Sequence, residues 1–294
     1  MKWAERLKRR RPTRVHSISV VAAVGVFAVV SLVPGMSGAA GSTWRTLRSA
    51  LHTTRTTAKT GPATRARRVM TNGQSFTGVA AVGALFYESS GKLGGHFCTA
   101  SVVDSPHGDL AVTAAHCVTG VANQIVFIPG YANGTEPYGV WQVTHVYTDQ
   151  AWQSSQNPND DVAFLQLSGT SGGGEPIETV TGAEQLGTST GAAGAVGQQL
   201  VQVIGYPDGE NEPVTCVNWT KVFSPTQLEF DCGGYTDGTS GGPFLANVSA
   251  SSGEGTVIGV IGGYEQGGDL PQVSYSAAFG TAVEGLYQTA EASS

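Results

Sequence analysis

Three short motifs hold a serine, a histidine and an aspartate that together could hydrolyse an amide bond. The run GTSGGP sets Ser240 among glycines, TAAHC contains His116, and DDVAFL contains Asp161. An amide carbonyl resists attack, so hydrolysis needs a nucleophile, a base held in one tautomer and donors that stabilise the oxyanion. The three residue types supply a candidate nucleophile, a candidate base and a carboxylate that could orient the base.

The three motifs indicate a catalytic site only when they occur together, because a lone serine between glycines is far more often part of a turn or a linker. In the order His, Asp, Ser they resemble the trypsin/chymotrypsin-like serine proteases over about residues 77–288. The resemblance implies that Ser240 is the nucleophile, that His116 is the general base and then the acid, and that Asp161 orients the imidazole. It also implies that the backbone N–H groups of Gly238 and Ser240 form the oxyanion hole.

Two residues within the motifs, Asp160 and Thr239, affect how the resemblance is interpreted. Asp160 competes with Asp161, and the pattern of an aspartate followed by Val, Ala and apolar residues favours Asp161, which leaves Asp160 as a turn residue. In most of the family an aspartate directly precedes the nucleophile and receives the new N-terminal ammonium on activation. Thr239 stands there in this chain, so that ion pair cannot form. This departure favours bacterial secreted relatives, including the glutamyl endopeptidase group.

The residues expected to form the substrate pocket lack the usual charged groups. Gly234 stands where trypsin-like members carry an aspartate, and Ile261 stands where the glutamyl group places a histidine. We therefore expect a neutral pocket and a preference for neutral or apolar side chains, with basic ones second. The expected lining consists of Gly234, Tyr235, Ile261, Gly262 and Gly263, with Asp237 near the mouth.

Charge is divided very unevenly along the 294 residues. Residues 1–68 hold fourteen of the sixteen Lys and Arg and one acid, for a net charge of +13, whereas residues 69–294 carry −19. An acidic domain repels nucleic acid and anionic membrane surfaces, so we exclude nucleic acid as a partner. The same field should disfavour acidic substrates.

The basic N-terminal part has the features of targeting and processing segments. A charged stretch, an apolar run over 18–33 and a small-residue exit predict a secretory signal peptide over 1–40, with a retained signal anchor as the alternative. Residues 41–68 end in RARR and predict a basic propeptide, or else a disordered arm that stays attached. The mature protease domain would then be 69–294, secreted to the extracellular space and free of the membrane.

Four cysteines follow the signal segment, which in a secreted chain predicts two disulfides. Of the three possible pairings we favour Cys98 with Cys117 and Cys216 with Cys232, because each pair is close in sequence. The resemblance supports the first pair, whereas the second departs from the common family positions. No Cys-x-x-Cys spacing occurs, so we expect no metal site.

Short apolar runs separated by Gly, Asn, Asp and Pro predict an all-β fold. The lengths and spacings fit an antiparallel barrel or sandwich, and two sets of six runs imply two six-stranded antiparallel β-barrels over about 77–170 and 183–280. The resemblance to the chymotrypsin-like proteases implies the same double barrel. Residues 281–290 predict a C-terminal helix, with Val283, Leu286, Tyr287 and Ala290 on one face.

Together these features predict a secreted, monomeric serine endopeptidase that needs no cofactor and cleaves protein or peptide substrates through an acyl-enzyme. A glutamyl-specific subtype is the alternative within the enzymes. A proteolytically silent, protease-like binding protein and a structural β-protein are the alternatives from other classes.

Overall fold

The computed structural model describes residues 68–119, 124–169, 174–191 and 194–293. The expected signal peptide at 1–40 lies outside the described residues, as does the expected basic segment at 41–68 apart from Arg68. No described helix is long and apolar enough to cross a membrane.

The first half of the described chain forms a closed six-stranded barrel in which every neighbouring pair of strands is antiparallel. The strands are β2 (Val82–Ser89), β3 (Lys92–Val103), β4 (Leu110–Thr113), β5 (Ile125–Pro129), β6 (Trp141–Thr148) and β7 (Ala163–Gly169). Around the barrel they follow the order β2-β3-β4-β7-β6-β5, and β5 pairs back onto β2.

The second half forms an eight-stranded sheet, which differs from the closed six-stranded antiparallel barrel that we expected. The strands are β1 (Gln74–Ser75), β8 (Gln185–Leu186), β9 (Leu200–Gly205), β10 (Val214–Ser224), β11 (Gln227–Asp231), β12 (Pro243–Ala246), β13 (Thr256–Val260) and β14 (Val273–Ala277). Their order is β14-β11-β10-β9-β12-β13-β8, with β1 paired to β10, and the β13–β8 pair is parallel. The two strands that we did not expect, β1 and β8, have two residues each, too short for the alternation by which a sequence indicates a strand.

Three α-helices complete the described fold: α1 (Gln150–Ser155), α2 (Ile177–Thr181) and α3 (Thr281–Glu291). Helix α3 matches the expected C-terminal helix and buries Val283 and Ala290. Helices α1 and α2 have six and five residues, and we did not predict them. A side-chain cap begins α1, because the Asp149 carboxylate accepts a hydrogen bond from the main-chain N–H of Ala151 at 2.7 Å.

Two hydrophobic clusters fill the interior. The larger lies inside the first barrel around Phe127 and Phe164 and extends to Phe279, α3 and buried residues of β9, β12 and β13, while the smaller lies in the second sheet around Phe230 and Phe244. These five phenylalanines are all fully buried. Burial of this apolar surface is the main stabilising term for both halves. The packed core also fixes the strand ends next to which the candidate site residues lie.

Both favoured cysteine pairs are disulfide-bonded. Cys98 is joined to Cys117, and Cys216 is joined to Cys232. Each bond closes a loop within one half of the fold, with sequence separations of 19 and 16 residues. A loop of this size stabilises by about 3 kcal/mol in the chain-entropy estimate.

Candidate active site

His116 stands on a short 3-10 turn, Ala115–Cys117, just beyond the end of β4. Ala114 and Ala115 are fully buried, and their small side chains let the turn enter the core. The disulfide from Cys117 to Cys98 fixes the turn to β3. As a result the imidazole is largely enclosed, with 13% of the side chain exposed.

The carboxylate of Asp161 is fully buried and faces His116. Its Oδ1 accepts the main-chain N–H of His116 at 2.9 Å, and its Oδ2 lies 2.8 Å from the ring Nδ1. Oδ2 also accepts the main-chain N–H of Gly263 at 2.9 Å. A buried carboxylate is costly unless it is well hydrogen-bonded, and these three contacts meet that need. Asp160 instead accepts a hydrogen bond from the Asn157 amide at 2.6 Å, in the turn expected for it.

Ser240 lies in the tight loop before β12, and the two glycines that follow it are required because a Cβ at either position would overlap neighbouring atoms. Gly241 has φ of 81°, and a Cβ there would overlap Thr113 Oγ1 and the main-chain oxygen of Thr99. A Cβ on Gly242 would overlap the main-chain oxygen of Ile204. Glycine at 241 therefore lets the loop pack against the first barrel, and glycine at 242 lets it pack against β9 of the second sheet.

The two candidate oxyanion donors belong to peptide units that are fixed by their carbonyls. The Asp237 oxygen accepts the N–H of Asp208 at 2.7 Å, and the Thr239 oxygen accepts the N–H of Gly242 at 2.9 Å. In a trans peptide the N–H points away from the carbonyl, so each bond sets the direction of the following N–H. Among the described residues, the N–H groups of Gly238 and Ser240 have no hydrogen-bond acceptor.

His116, Gly238 and Ser240 line one cavity of about 630 Å³. The structure brings the imidazole and the serine to the same cavity, but no hydrogen bond joins the Ser240 hydroxyl to the ring among the described residues. Catalytic hydrogen bonds are often long without substrate and tighten in the complex.

The expected pocket residues divide into two groups. Tyr235, Asp237 and Ile261 line the cavity, whereas Gly234, Gly262 and Gly263 do not. Tyr235 is nearly buried, and its hydroxyl donates to the main-chain oxygen of Val203 at 2.8 Å. Sequence reasoning missed the rest of the wall, notably Tyr87, Phe97, Glu265, Gln266, Asp269 and Leu270.

One side of the cavity is built from an unusual backbone segment. Glu265, Gln266, Gly267 and Gly268 all have positive φ, at 50°, 53°, 110° and 113°. Two consecutive non-glycine residues in the left-handed region are rare and mark backbone strain, which tends to occur at functional sites. The Gly267-Gly268 pair was the one sequence signal for this segment.

The lining of the cavity is electronegative. Asp237, Glu265 and Asp269 contribute to it, and of the three described Lys and Arg residues none does. Lys221 is paired instead with Glu229, at 3.0 Å, and with Asp231. A hydrogen bond to the Glu265 carboxylate, together with its charge and that of Asp269, raises the pKa of the neighbouring Tyr264. The negative field therefore extends along the strained wall.

Thr239 occupies the position directly before Ser240, where the resemblance implies an aspartate that pairs with the N-terminal ammonium. Its hydroxyl donates to the main-chain oxygen of Thr236 at 2.7 Å. The Thr239 hydroxyl therefore stabilises its own loop, and the uncharged side chain cannot form an ion pair with an N-terminal ammonium.

A family model described as a trypsin-like peptidase domain matches residues 98–260, more than half of the chain and including all three motifs. The chain belongs to this family. The expected resemblance to trypsin/chymotrypsin-like serine proteases is thus confirmed.

Solved structures show the same fold. The protease Anisep from Arthrobacter nicotinovorans is 24% identical with a TM-score of 0.61, and the match covers 75% of this chain and 99% of that one. A thermostable serine protease, AL20, from an extremophilic microorganism is 23% identical with a TM-score of 0.60, covering 73% and 98%. A Glu endopeptidase is 15% identical with a TM-score of 0.56, covering 76% and 99%.

A curated relative is an extracellular metalloprotease of Bacillus subtilis (strain 168), 30% identical over 104 residues. The match covers 33% of this chain, and the chain spans about a third of that relative's length, 32%. Among the described residues, one group of metal-ligand side chains is close enough to share an ion: Cys98, His116 and Cys117. Both sulfurs are joined in a disulfide and are not thiolates, so this donor set does not fit a metal site.

Proposed function

We propose that this chain is a secreted serine endopeptidase that hydrolyses peptide bonds through an acyl-enzyme. The observation that carries the proposal is the buried Asp161 carboxylate, which holds the His116 ring in the cavity that Ser240 also lines. Membership of the trypsin-like peptidase family supports peptide-bond hydrolysis as the reaction.

In the first step His116 acts as the base. Because Asp161 faces Nδ1, the ring proton resides on Nδ1, and Nε2 keeps a free lone pair. Substrate binding brings Ser240 Oγ to Nε2, which takes the hydroxyl proton as Oγ attacks the carbonyl carbon. The imidazolium that forms is stabilised by the hydrogen bond from Nδ1 to the Asp161 carboxylate.

The carbonyl oxygen becomes an oxyanion and accepts hydrogen bonds from the N–H groups of Gly238 and Ser240. When the tetrahedral intermediate collapses, the C–N bond breaks and Nε2 gives its proton to the leaving amine. The acyl group remains as an ester on Ser240. A water molecule then loses its proton to His116 and attacks the ester, which releases the acid and restores the serine.

The cavity lining supports a preference for substrates with positively charged side chains near the cleaved bond. Three carboxylates, those of Asp237, Glu265 and Asp269, line it without a described Lys or Arg. Complementary charge raises both the encounter rate and the selectivity for such peptides. The three carboxylates change the expected neutral pocket into a negatively charged one. Their charge would repel acidic side chains and so makes glutamyl specificity unfavourable.

The arrangement of the whole chain belongs to the same proposal: a signal peptide at 1–40, a basic propeptide at 41–68 and a protease domain at 69–294. Two disulfides with no free cysteine support an oxidising compartment. The word extracellular in the name of the curated relative is consistent with secretion.

Covalent labelling tests the proposal. A fluorophosphonate should label the full-length chain at Ser240, and His116→Ala should abolish the label. Ser240→Ala should lose on the order of 10⁶-fold in turnover with folding intact. Ser274 also lines the cavity, so Ser274→Ala is a matched control that should keep the label. A folded chain that neither labels nor cleaves peptides would instead be a silent, protease-like binding protein.

A further inference from the structure

We propose that Thr99 is a positioning residue that holds the oxyanion-hole loop in its working conformation from the opposite half of the fold. The inference rests on the proposed function, because the loop concerned carries Gly238 and Ser240. Thr99 lies in β3 of the first barrel, is fully buried and does not line the substrate cavity. It therefore acts on the reaction through the loop and not through the substrate.

Thr99 makes two hydrogen bonds to the nucleophile loop. Its main-chain N–H donates to the oxygen of Ser240 at 2.7 Å, and its hydroxyl donates to the oxygen of Gly238 at 3.1 Å. The same hydroxyl accepts the N–H of Tyr206 at 2.9 Å, which leaves its proton directed at Gly238. The two main-chain oxygens that Thr99 contacts belong to Gly238 and Ser240, the residues whose N–H groups would donate to the oxyanion.

Gly238 needs such a restraint because of its own backbone. Its φ is 88°, and a Cβ there would lie 2.5 Å from the nitrogen of Asp208 and 2.6 Å from the oxygen of Tyr206, so only glycine fits. Glycine, however, has the widest conformational freedom of any residue. The N–H of Asp208 holds the peptide before Gly238, and the Thr99 hydroxyl holds the peptide after it. The two bonds together fix both sides of the glycine.

The same short stretch of β3 also positions the base. Cys98, next to Thr99, is disulfide-bonded to Cys117, next to His116. Thr113, which begins the TAAHC run, donates from its hydroxyl to the main-chain oxygen of Thr99 at 2.7 Å. Residues 98–99 therefore connect the histidine turn to the nucleophile loop. Loosening the Thr99 hydroxyl should change where the oxyanion donors stand relative to His116.

The test is Thr99→Val in the full-length protein, which removes the hydroxyl and keeps both the shape and the main-chain N–H. We expect kcat to fall about 10- to 100-fold, because misplacing a catalytic group by about 1 Å costs that much. KM should change less than about 3-fold, since the interaction lost is one felt mainly in the transition state. Thr99→Ser keeps a hydroxyl and should restore most of the turnover.

Thr220→Val is a matched control. Thr220 is also fully buried, and its hydroxyl accepts the N–H of Gln199 at 2.9 Å and donates to the Gln199 oxygen at 3.3 Å, away from the cavity. Both variants should lower Tm, because Thr99→Val leaves the N–H of Tyr206 without its acceptor and Thr220→Val does the same to the N–H of Gln199. Only Thr99→Val should also lower kcat. If Thr99→Val fails to fold, Thr99→Ala provides the same comparison without a methyl group against the Tyr206 nitrogen.

A second readout separates positioning from general destabilisation. A peptide aldehyde forms a tetrahedral adduct with the serine, and the oxygen of the adduct occupies the oxyanion hole. Its affinity should weaken in Thr99→Val by the same factor as kcat, and stay unchanged in Thr220→Val. Equal kcat and aldehyde affinity in the two valine variants would overturn the inference while leaving the proposed function intact. A wild-type chain that no fluorophosphonate labels would overturn both.

Discussion

Asp161 holds His116 at two points, with one carboxylate oxygen 2.9 Å from the main-chain nitrogen and the other 2.8 Å from the ring Nδ1. The first contact fixes the turn that carries the histidine, and the second fixes the rotation and tautomer of its ring. The carboxylate thus sets the backbone and the side chain of the same residue, and is itself anchored by the N–H of Gly263.

We predict that Asp161→Asn lowers kcat by about 10³- to 10⁴-fold and also lowers Tm, because an amide nitrogen at this position leaves the N–H of Gly263 without its acceptor. An amide nitrogen facing Nδ1 would stabilise the other tautomer, in which Nε2 carries the proton and cannot act as the base. Asp160→Asn is the neighbouring control and should keep kcat within about 3-fold. Steady-state kinetics on one peptide substrate measures both, and comparable losses in the two variants would remove Asp161 from its assigned role.

We predict that Gly238→Ala lowers kcat by about 10²- to 10³-fold, the usual cost of losing one oxyanion donor. The added Cβ would press against the Asp208 nitrogen and the Tyr206 oxygen and turn the N–H away from the cavity. Gly91→Ala is the control, because Gly91 also has positive φ, at 73°, but has open space around it. A Gly238→Ala enzyme as active as Gly91→Ala would contradict this assignment of the donor.

Charge in the cavity should determine which peptides are cleaved. The triple variant Asp237→Asn, Glu265→Gln, Asp269→Asn should lower kcat/KM for peptides with lysine or arginine near the cleaved bond by about 10-fold or more. The preference of the wild type should also weaken as salt is raised.

The control for that experiment removes three charges elsewhere. Glu136, Glu175 and Glu284 are exposed and do not line the cavity. Changing them to glutamine alters the net charge by the same amount and should leave the ranking of basic over acidic peptides unchanged. If the two triple variants behave alike, the overall field of the domain and not the cavity lining sets the preference.

Glu184 should make stability depend on pH. It is fully buried, one carboxylate oxygen accepts the N–H of Gly255, and the other has no partner among the described residues. Burial raises the pKa of Glu184 from 4.5 to about 8; the hydrogen bond from Gly255 opposes this shift, and the charge of Glu254 adds to it. The folded protein therefore holds a proton on Glu184 that the unfolded chain releases.

Between about pH 4.5 and 8 the folded state binds more protons at this site, so the contribution of Glu184 to the free energy of unfolding falls as pH rises. The steepest slope for one group is about 1.4 kcal/mol per pH unit. Glu184→Gln should remove this component, and its difference from the wild type should grow across the window. Urea unfolding at several pH values measures it, with the exposed Glu136→Gln as control. A constant difference across that range would argue against a raised pKa.

The candidate site residues could be predicted from sequence because their neighbours are constrained. Buried alanines must precede His116 for its turn to enter the core, and glycines must follow Ser240 where a Cβ would overlap main-chain atoms of the neighbouring strands. The six strands of the first barrel could be predicted in the same way, because each is a short apolar run bounded by turn residues. The two-residue strands β1 and β8 carry no such pattern, which is why the second sheet was expected to be a simpler barrel.

Features that depend on distant partners could not be predicted. Glu265 and Gln266 adopt left-handed φ values that their residue types do not indicate, so the acidic wall of the cavity was missed. The role of Thr99 depends on a hydrogen bond to a residue 139 positions later in the chain. A threonine in a buried strand otherwise indicates only a satisfied hydroxyl.

The placement of the two disulfides has a consequence for how such an enzyme would fail. Cys98–Cys117 lies within the first barrel and Cys216–Cys232 within the second sheet, and all four cysteines of the chain are used. No crosslink therefore bridges the seam along which His116 faces Ser240. The two halves are joined by packing instead, because Ile204, Leu245 and Val260 of the second sheet belong to the same buried cluster as the interior of the first barrel. The alignment of His116 with Ser240 therefore depends on that apolar contact, and a loss of the contact would abolish turnover even with both disulfides intact.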